Sequence, residues 1–175
     1  MSGINDLIVL VDKIEDWKPF FPTDQVVKAN DYLFQTNYQT LESTRVINLC
    51  QNTSYLSMGY YCSLIAETRK HKVLPTVKVI NDLSKKKFYI FDLEELEESV
   101  KKVGIELSKN NKLIKSLVFK IFFGKTQEPA LKKIARQIFE HYPCPILEVT
   151  ISHKDYWEIE SIETIGLRDL SDEDE

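Results

Sequence analysis

Glycine is scarce in this chain, with five in 175 residues. That leaves little material for a glycine-rich loop, which lets a backbone approach a phosphate closely. No P-loop, dinucleotide fingerprint, zinc-protease helix or nucleophile elbow occurs, which argues against a self-contained nucleotide-dependent enzyme. Cysteine is as sparse: Cys50, Cys62 and Cys144 are widely spaced and odd in number, with no CxxC pair. His71, His141 and His153 stand far apart in sequence, so no metal ligand set is expected. Free, buried thiols in a reducing cytoplasm account for the cysteines. Long apolar runs are missing too. None approaches the ~18 residues of a membrane span, and the start is broken by Asp6 and Asp12, unlike a signal peptide. The expectation is a soluble, cytoplasmic protein with no membrane partner.

Positive charge is not in excess either. The formal net charge is −4, and four of the 27 acidic residues are the closing Asp172, Glu173, Asp174 and Glu175. Without these four, 23 acidic residues face 23 basic ones. Such neutrality speaks against a nucleic-acid partner, which needs a basic face. The short groups Lys85 to Lys87 and Lys132/Lys133 fit solvated turns and helix faces.

What is present is an apolar content of 43% with 19 aromatic residues, enough for a sizeable core. Residues 7–11 (LIVLV) form an unbroken apolar run that suits a strand covered on both faces, as in a parallel sheet. Residues 12–23, with Trp17, Pro19, Phe20, Phe21 and Pro22, read as an aromatic loop. Residues 25–28 suit a short strand, and 30–34 fit either a strand or a helical turn. Residues 45–49 (RVINL) read as another buried strand, followed by a polar loop (CQNTSY). Ser57 is placed to cap a helix through about Lys70, with Met58, Tyr61, Leu64, Ile65 and Thr68 as its apolar stripe. Tyr61, on that stripe, is expected in the core.

Farther on, 77–80 suit a strand and Lys85 to Lys87 a turn. Residues 88–91 (FYIF) suit a further strand, and Asp92 with Glu95 has capping-box spacing. Leu93, Leu96, Val100 and Val103 then make a helical stripe that Gly104 is expected to end, with 108–115 polar and exposed. Residues 117–123 (LVFKIFF) form a strong strand closed by Gly124, and Pro129 fits a first helical turn. Leu131, Ile134, Ala135, Ile138 and Tyr142 share one helix face, opposite Lys132, Lys133, Arg136, Gln137 and Glu140. Residues 146–152 and 157–162 flank a turn, as in an antiparallel hairpin. The fold class is therefore α/β with an α+β C-terminal part: Rossmann-like parallel strands followed by a strand-helix-hairpin unit. One domain over 1–168 is expected, with possible sub-lobes 1–107 and 116–168. Residues 169–175 read as an acidic tail or the start of an interdomain linker.

Open α/β sheets bind ligands where a strand's C-terminal end passes into a helix. Residues 48–57 occupy such a place. A helix N-terminus there offers free amide hydrogens and partial positive charge, which suit a carboxylate or another anion. Asn48, Gln51, Asn52, Thr53, Ser54 and Ser57 add donors and acceptors without fixed charge, a set suited to recognition rather than bond breaking. The same groups equally suit capping the helix and ordering the loop. Asp12, at the end of the first strand, is placed for a site or for a turn, and Tyr55 and Tyr60 for leaning over a bound group or for packing. Cys50 has the position of a nucleophile but no histidine with a local relation to it. Arg69 and His71 complement the helix C-terminus. Glu94, Glu95, Glu97 and Glu98 form an acidic helix face. No residue is assigned a catalytic role.

Asn48-Leu49-Cys50, and the stretch from Tyr55 through Leu-Ser-Met-Gly-Tyr-Tyr-Cys-Ser-Leu-Ile-Ala-Glu-Thr-Arg-Lys to His71, resemble the signature of the N-terminal domain of RimK-like ATP-grasp proteins. Leu74-Pro75 and Ile80-Asn81-Asp82-Leu83 resemble its continuation. Phe122-Phe123-Gly124 with the helix to Tyr142 resembles its later part, and Val9 to Tyr32 its opening. Thr68 and Lys70 depart from the pattern, standing where smaller residues are expected. The resemblance implies a domain that precedes an ATP-grasp ligase module, which activates a carboxylate as an acylphosphate and joins it to an amine. ATP and magnesium would belong to that module and not to this chain. The leading expectation is a non-catalytic domain that positions a small amino-acid or peptide substrate, or docks the module. The alternatives are a stand-alone enzyme using Cys50 or Asp12, and a protein-interaction module using the loop from Trp17 to Phe21.

Overall fold

The computed structural model describes residues 7–17, 24–38, 44–86, 94–110 and 115–170. The chain forms two compact units, one of residues 1–81 with 165–175 and the other of residues 82–164.

The first unit is built on a parallel sheet. Its strands are β1 (Leu7–Val11), β2 (Val26–Lys28), β3 (Arg45–Asn48) and β4 (Lys72–Leu74), in the order β2-β1-β3-β4. β1 can be apolar along its whole length because residues on both of its faces are buried, from Ile8 to Val11. Helices α1 (Ala29–Phe34) and α2 (Met58–Thr68) share a core with Ile8, Leu10, Val46 and Val73 of the sheet. Residues 30–34 thus resolve to helix.

Of the expected α2 stripe only Ile65 packs against the core, and it is half-buried. Ser57 caps the helix as expected, its hydroxyl accepting from the Tyr60 amide at 3.2 Å. The buried residues, however, are Gly59, Tyr60, Cys62, Ser63 and Ala66. Met58, Tyr61 and Leu64 are exposed, so Tyr61 is not a core residue. The reason is close approach. A Cβ on Gly59 would lie 2.5 Å from the Asn52 carbonyl oxygen and 2.9 Å from the Cys50 Cβ. Where α2 crosses its own preceding loop there is no room for a side chain at Gly59, and Met58, Tyr61 and Leu64 are turned outward.

A second correction concerns residues 77–80, which are not a strand but the first part of α3 (Val77–Leu83). Val77 and Val79 have strand spacing, yet the capping chemistry decides otherwise. The Thr76 hydroxyl accepts from the Val79 amide at 3.2 Å, and the Glu67 carboxylate accepts from the Val77 amide at 2.8 Å. Val79, Ile80 and Leu83 are then buried at helical spacing.

The second unit contains α4 (Glu94–Asn110), β5 (Ser116–Phe122), α5 (Lys132–His141), β6 (Ile146–His153) and β7 (Trp157–Thr164). Its sheet is antiparallel, in the order β5-β6-β7, with a bulge between Thr150 and Ile151. Pro129 opens a short 3-10 turn (Pro129–Leu131) before α5. The expected α5 face is the buried one, with Leu131, Ile134, Ala135, Ile138 and Tyr142 inward. Gly124, at φ +79°, ends β5 in a conformation that glycine favours.

Gly104 does not end α4, which continues to Asn110, so 108–110 are helical. The glycine answers a packing need. A Cβ there would lie 2.1–2.6 Å from ring atoms of Trp157. The expected strand at 88–91, Asp92 and the closing acids Asp172 to Glu175 lie outside the described residues, as do 18–23 of the aromatic loop. Among the described residues no helix is long and apolar enough to cross a membrane.

Candidate functional site at the sheet's topological switch point

From β1 the chain passes to β2 on one side, then returns to β3 on the other. The strand order therefore reverses between β1 and β3, where open α/β sheets place ligands. Residues 48–57 leave the C-terminal end of β3 at this point. The Leu49 amide donates to the Leu10 carbonyl at 2.9 Å, which brings the loop beside the end of β1. The Asp12 carboxylate then accepts from the Gln51 amide at 2.8 Å. Two regions singled out from sequence, Asp12 and the polar loop, are thus in direct contact.

Asn48 is the buried brace of the site. Its Nδ2 donates to the Gly59 carbonyl at 2.7 Å and the Ser63 hydroxyl at 3.0 Å, and its Oδ1 accepts from the Cys50 amide at 3.2 Å. Ser63 in turn donates to the Pro75 carbonyl at 2.8 Å. Asn52 folds the loop on itself, its Oδ1 accepting from the Ser54 amide at 2.8 Å. The Ser57 hydroxyl donates to the Asn52 carbonyl at 2.9 Å while capping α2. Thr53 is buried. Asn52, Ser54 and Tyr55 are exposed, whereas Gln51 and Ser57 are half-buried. Tyr60 is buried and meets Tyr55 edge-to-face, with ring centroids 5.2 Å apart. Tyr55 stands out from the loop, and Tyr60 is its base.

The loop is also tied to residues 166–169, which the sequence did not point to. Gln51 Nε2 donates to Asp169 at 2.6 Å, and its Oε1 accepts from the Arg168 amide at 3.1 Å. Arg168 forms a two-point ion pair with Asp16, at 2.9 and 2.8 Å. The guanidinium bonded to Asp16 holds that carboxyl below its ordinary range, helped by the Lys13 amide. Gly166 packs so tightly on Gln51 that a Cβ would lie 2.4 Å from its Oε1. No local signal marks these partners, because Arg168 and Asp16 are 152 residues apart.

Cys50 is buried beside Cys62, and that contact, with burial, pushes its thiol well above the ordinary range. A thiol held protonated is the opposite of what a cysteine nucleophile requires. All three cysteines are free and buried, and burial pushes Cys144 up to about 12. Among the described residues no cluster of three or more His, Cys, Asp or Glu is placed to hold a metal ion. Residues 48–57 carry no charged side chain, and the Asp12 carboxylate accepts from the Gln51 amide. A groove of about 470 Å³ runs along β3 and β4, lined by Leu7, Arg45, Val46, Ile47, Lys72, Val73 and Leu74.

A parallel sheet with helices, and an uncharged, hydrogen-bonding loop at its switch point, makes the first unit one of α/β type. Residues 29–175 match the model of the RimK-like ATP-grasp N-terminal domain, and the chain belongs to that family. A search of curated proteins finds no match.

Proposed function

We propose that this chain is the non-catalytic N-terminal domain of a RimK-like ATP-grasp carboxylate–amine ligase, working in the cytoplasm. It positions a small amino-acid or peptide substrate at the switch-point loop and docks the module that performs the ligation. The observation that carries this reading is the construction of residues 48–57. The loop is braced from below by Asn48, from β1 by Asp12 and from the side by residues 166–169. It presents Asn52, Ser54 and Tyr55 to solvent from a rigid base and carries no charge. Groups held this way recognise a ligand by hydrogen bonds and shape. They offer neither a poised nucleophile nor a titrating acid–base pair. The family supplies the context, in which ATP and magnesium belong to the ligase module. The test is to purify the 175-residue chain and assay ATP binding and ATP-dependent ligation. The expected result is neither; turnover by the isolated chain overturns the proposal.

A further inference from the structure

We propose that the outward face of α2, together with the tip of the loop before it, is the surface on which the ATP-grasp module docks. This rests on the function proposed above and adds to it the place of contact. Five large apolar residues lie there in one short stretch: Tyr55, Leu56, Met58, Tyr61 and Leu64. Each has between 37% (Leu64) and 66% (Tyr55) of its surface exposed. The buried Tyr60 ring holds both exposed tyrosines edge-to-face, at 5.2 Å from Tyr55 and 5.9 Å from Tyr61. The patch is therefore preorganised, and tyrosine and methionine are residues that interface cores favour.

Charge identifies the kind of partner. The 21 residues from Val46 to Ala66 contain no Lys, Arg, Asp, Glu or His, in a chain that is 29% charged. A charged partner would lose its hydration against this face and gain no counter-ion, so the matching surface is uncharged and apolar. Size argues for a tethered partner. The five side chains offer on the order of 400 Å² of apolar surface, about half of what one side of a freely associating interface requires. A module joined to the same chain meets the patch at an effective concentration near millimolar, which makes a small contact sufficient. Residues 166–169 are fixed to Gln51, in the same loop as Tyr55 and Leu56, so a segment joined beyond Leu170 leaves from a stretch tied to that loop.

Hydroxyl-radical footprinting tests this, because Tyr55, Met58 and Tyr61 report their own exposure. The samples are the 175-residue chain and the protein that carries it together with the ATP-grasp module. We expect labelling of these three to fall by about fivefold in the two-module protein, as for side chains entering an interface core. Phe34 and Tyr156, exposed elsewhere, serve as references. The double variant Tyr61→Lys, Leu64→Lys should restore the labelling of Tyr55 and Met58. Equal labelling in a two-module protein that ligates with ATP overturns this surface and leaves the proposed function standing. A reading frame with no ATP-grasp module removes both.

Discussion

Helices α2 and α5 each carry a continuous apolar stripe, yet one turns it inward and the other outward. On α5 the stripe of Leu131, Ile134, Ala135 and Ile138 is buried, and Lys132, Lys133, Arg136 and Glu140 face water. That is the ordinary amphipathic solution. On α2 the buried set is Gly59, Cys62, Ser63 and Ala66 with the Tyr60 ring, while Met58, Tyr61 and Leu64 face outward. The difference lies in how near each helix comes to its neighbours. Large side chains fill the space under α5. α2 sits against the backbone of its own preceding loop, where Gly59 has no room for a Cβ, and Met58, Tyr61 and Leu64 face solvent.

The largest expected effect comes from emptying the α5 stripe. Ile138→Ala should cost about 3 kcal/mol in denaturant unfolding, since a fully buried isoleucine leaves a cavity. Next is Asn48→Ala, which strips partners from the Gly59 carbonyl, the Ser63 hydroxyl and the Cys50 amide. A loss of about 2 kcal/mol is expected by the same measurement. Gly59→Ala should destabilise by about 1–2 kcal/mol despite alanine's better helix propensity, because its Cβ meets backbone. An unchanged midpoint there would show that α2 can rise from the loop. Leu64→Ala, on the outward stripe, should shift stability by less than about 0.5 kcal/mol. A cost comparable to Ile138→Ala would erase the contrast between the helices.

The smallest effect is a pH effect. Asp16 has its folded pKa lowered by the Arg168 hydrogen bonds. A group lowered on folding contributes stability above its unfolded value, and the contribution is lost as pH falls through the folded one. Protection of the amides at residues 166–170, measured against their intrinsic exchange, should therefore fall in acid, below the ordinary carboxylate range, and Asp16→Asn should show the lower protection already at neutral pH. Protection that does not change with pH would mean the ion pair does not hold this segment.

Much of this was legible in the sequence, for physical reasons. β1 announced itself because burial on both faces demands an unbroken apolar run. α5 and the β6–β7 hairpin showed clean periodicity, and Ser57 and Pro129 mark helix starts by local chemistry alone. The misreadings have causes as local. Val77 and Val79 imitate a strand, and only the partners of Thr76 and Glu67 reveal the helix. Gly104 looks like a terminator, but the Trp157 ring that requires it is 53 residues away. Lys72-Val73-Leu74 is too short to show alternation, so β4 was missed. For the candidate site, the position of the polar loop and of Asp12 could be read. Its clamp of Arg168, Asp169 and Asp16 depends on long-range contacts with no trace in spacing. The outward turn of Met58, Tyr61 and Leu64 depends on the depth at which a helix seats, which periodicity does not encode.

The proposed positioning role makes a specific kinetic demand on the exposed end of the loop. In the proposed ATP-dependent ligase, Asn52→Ala and Ser54→Ala should each raise the KM for the positioned substrate about fivefold, the worth of one hydrogen bond, with kcat nearly unchanged. A collapse of kcat at constant KM would place chemistry in this loop and contradict the account.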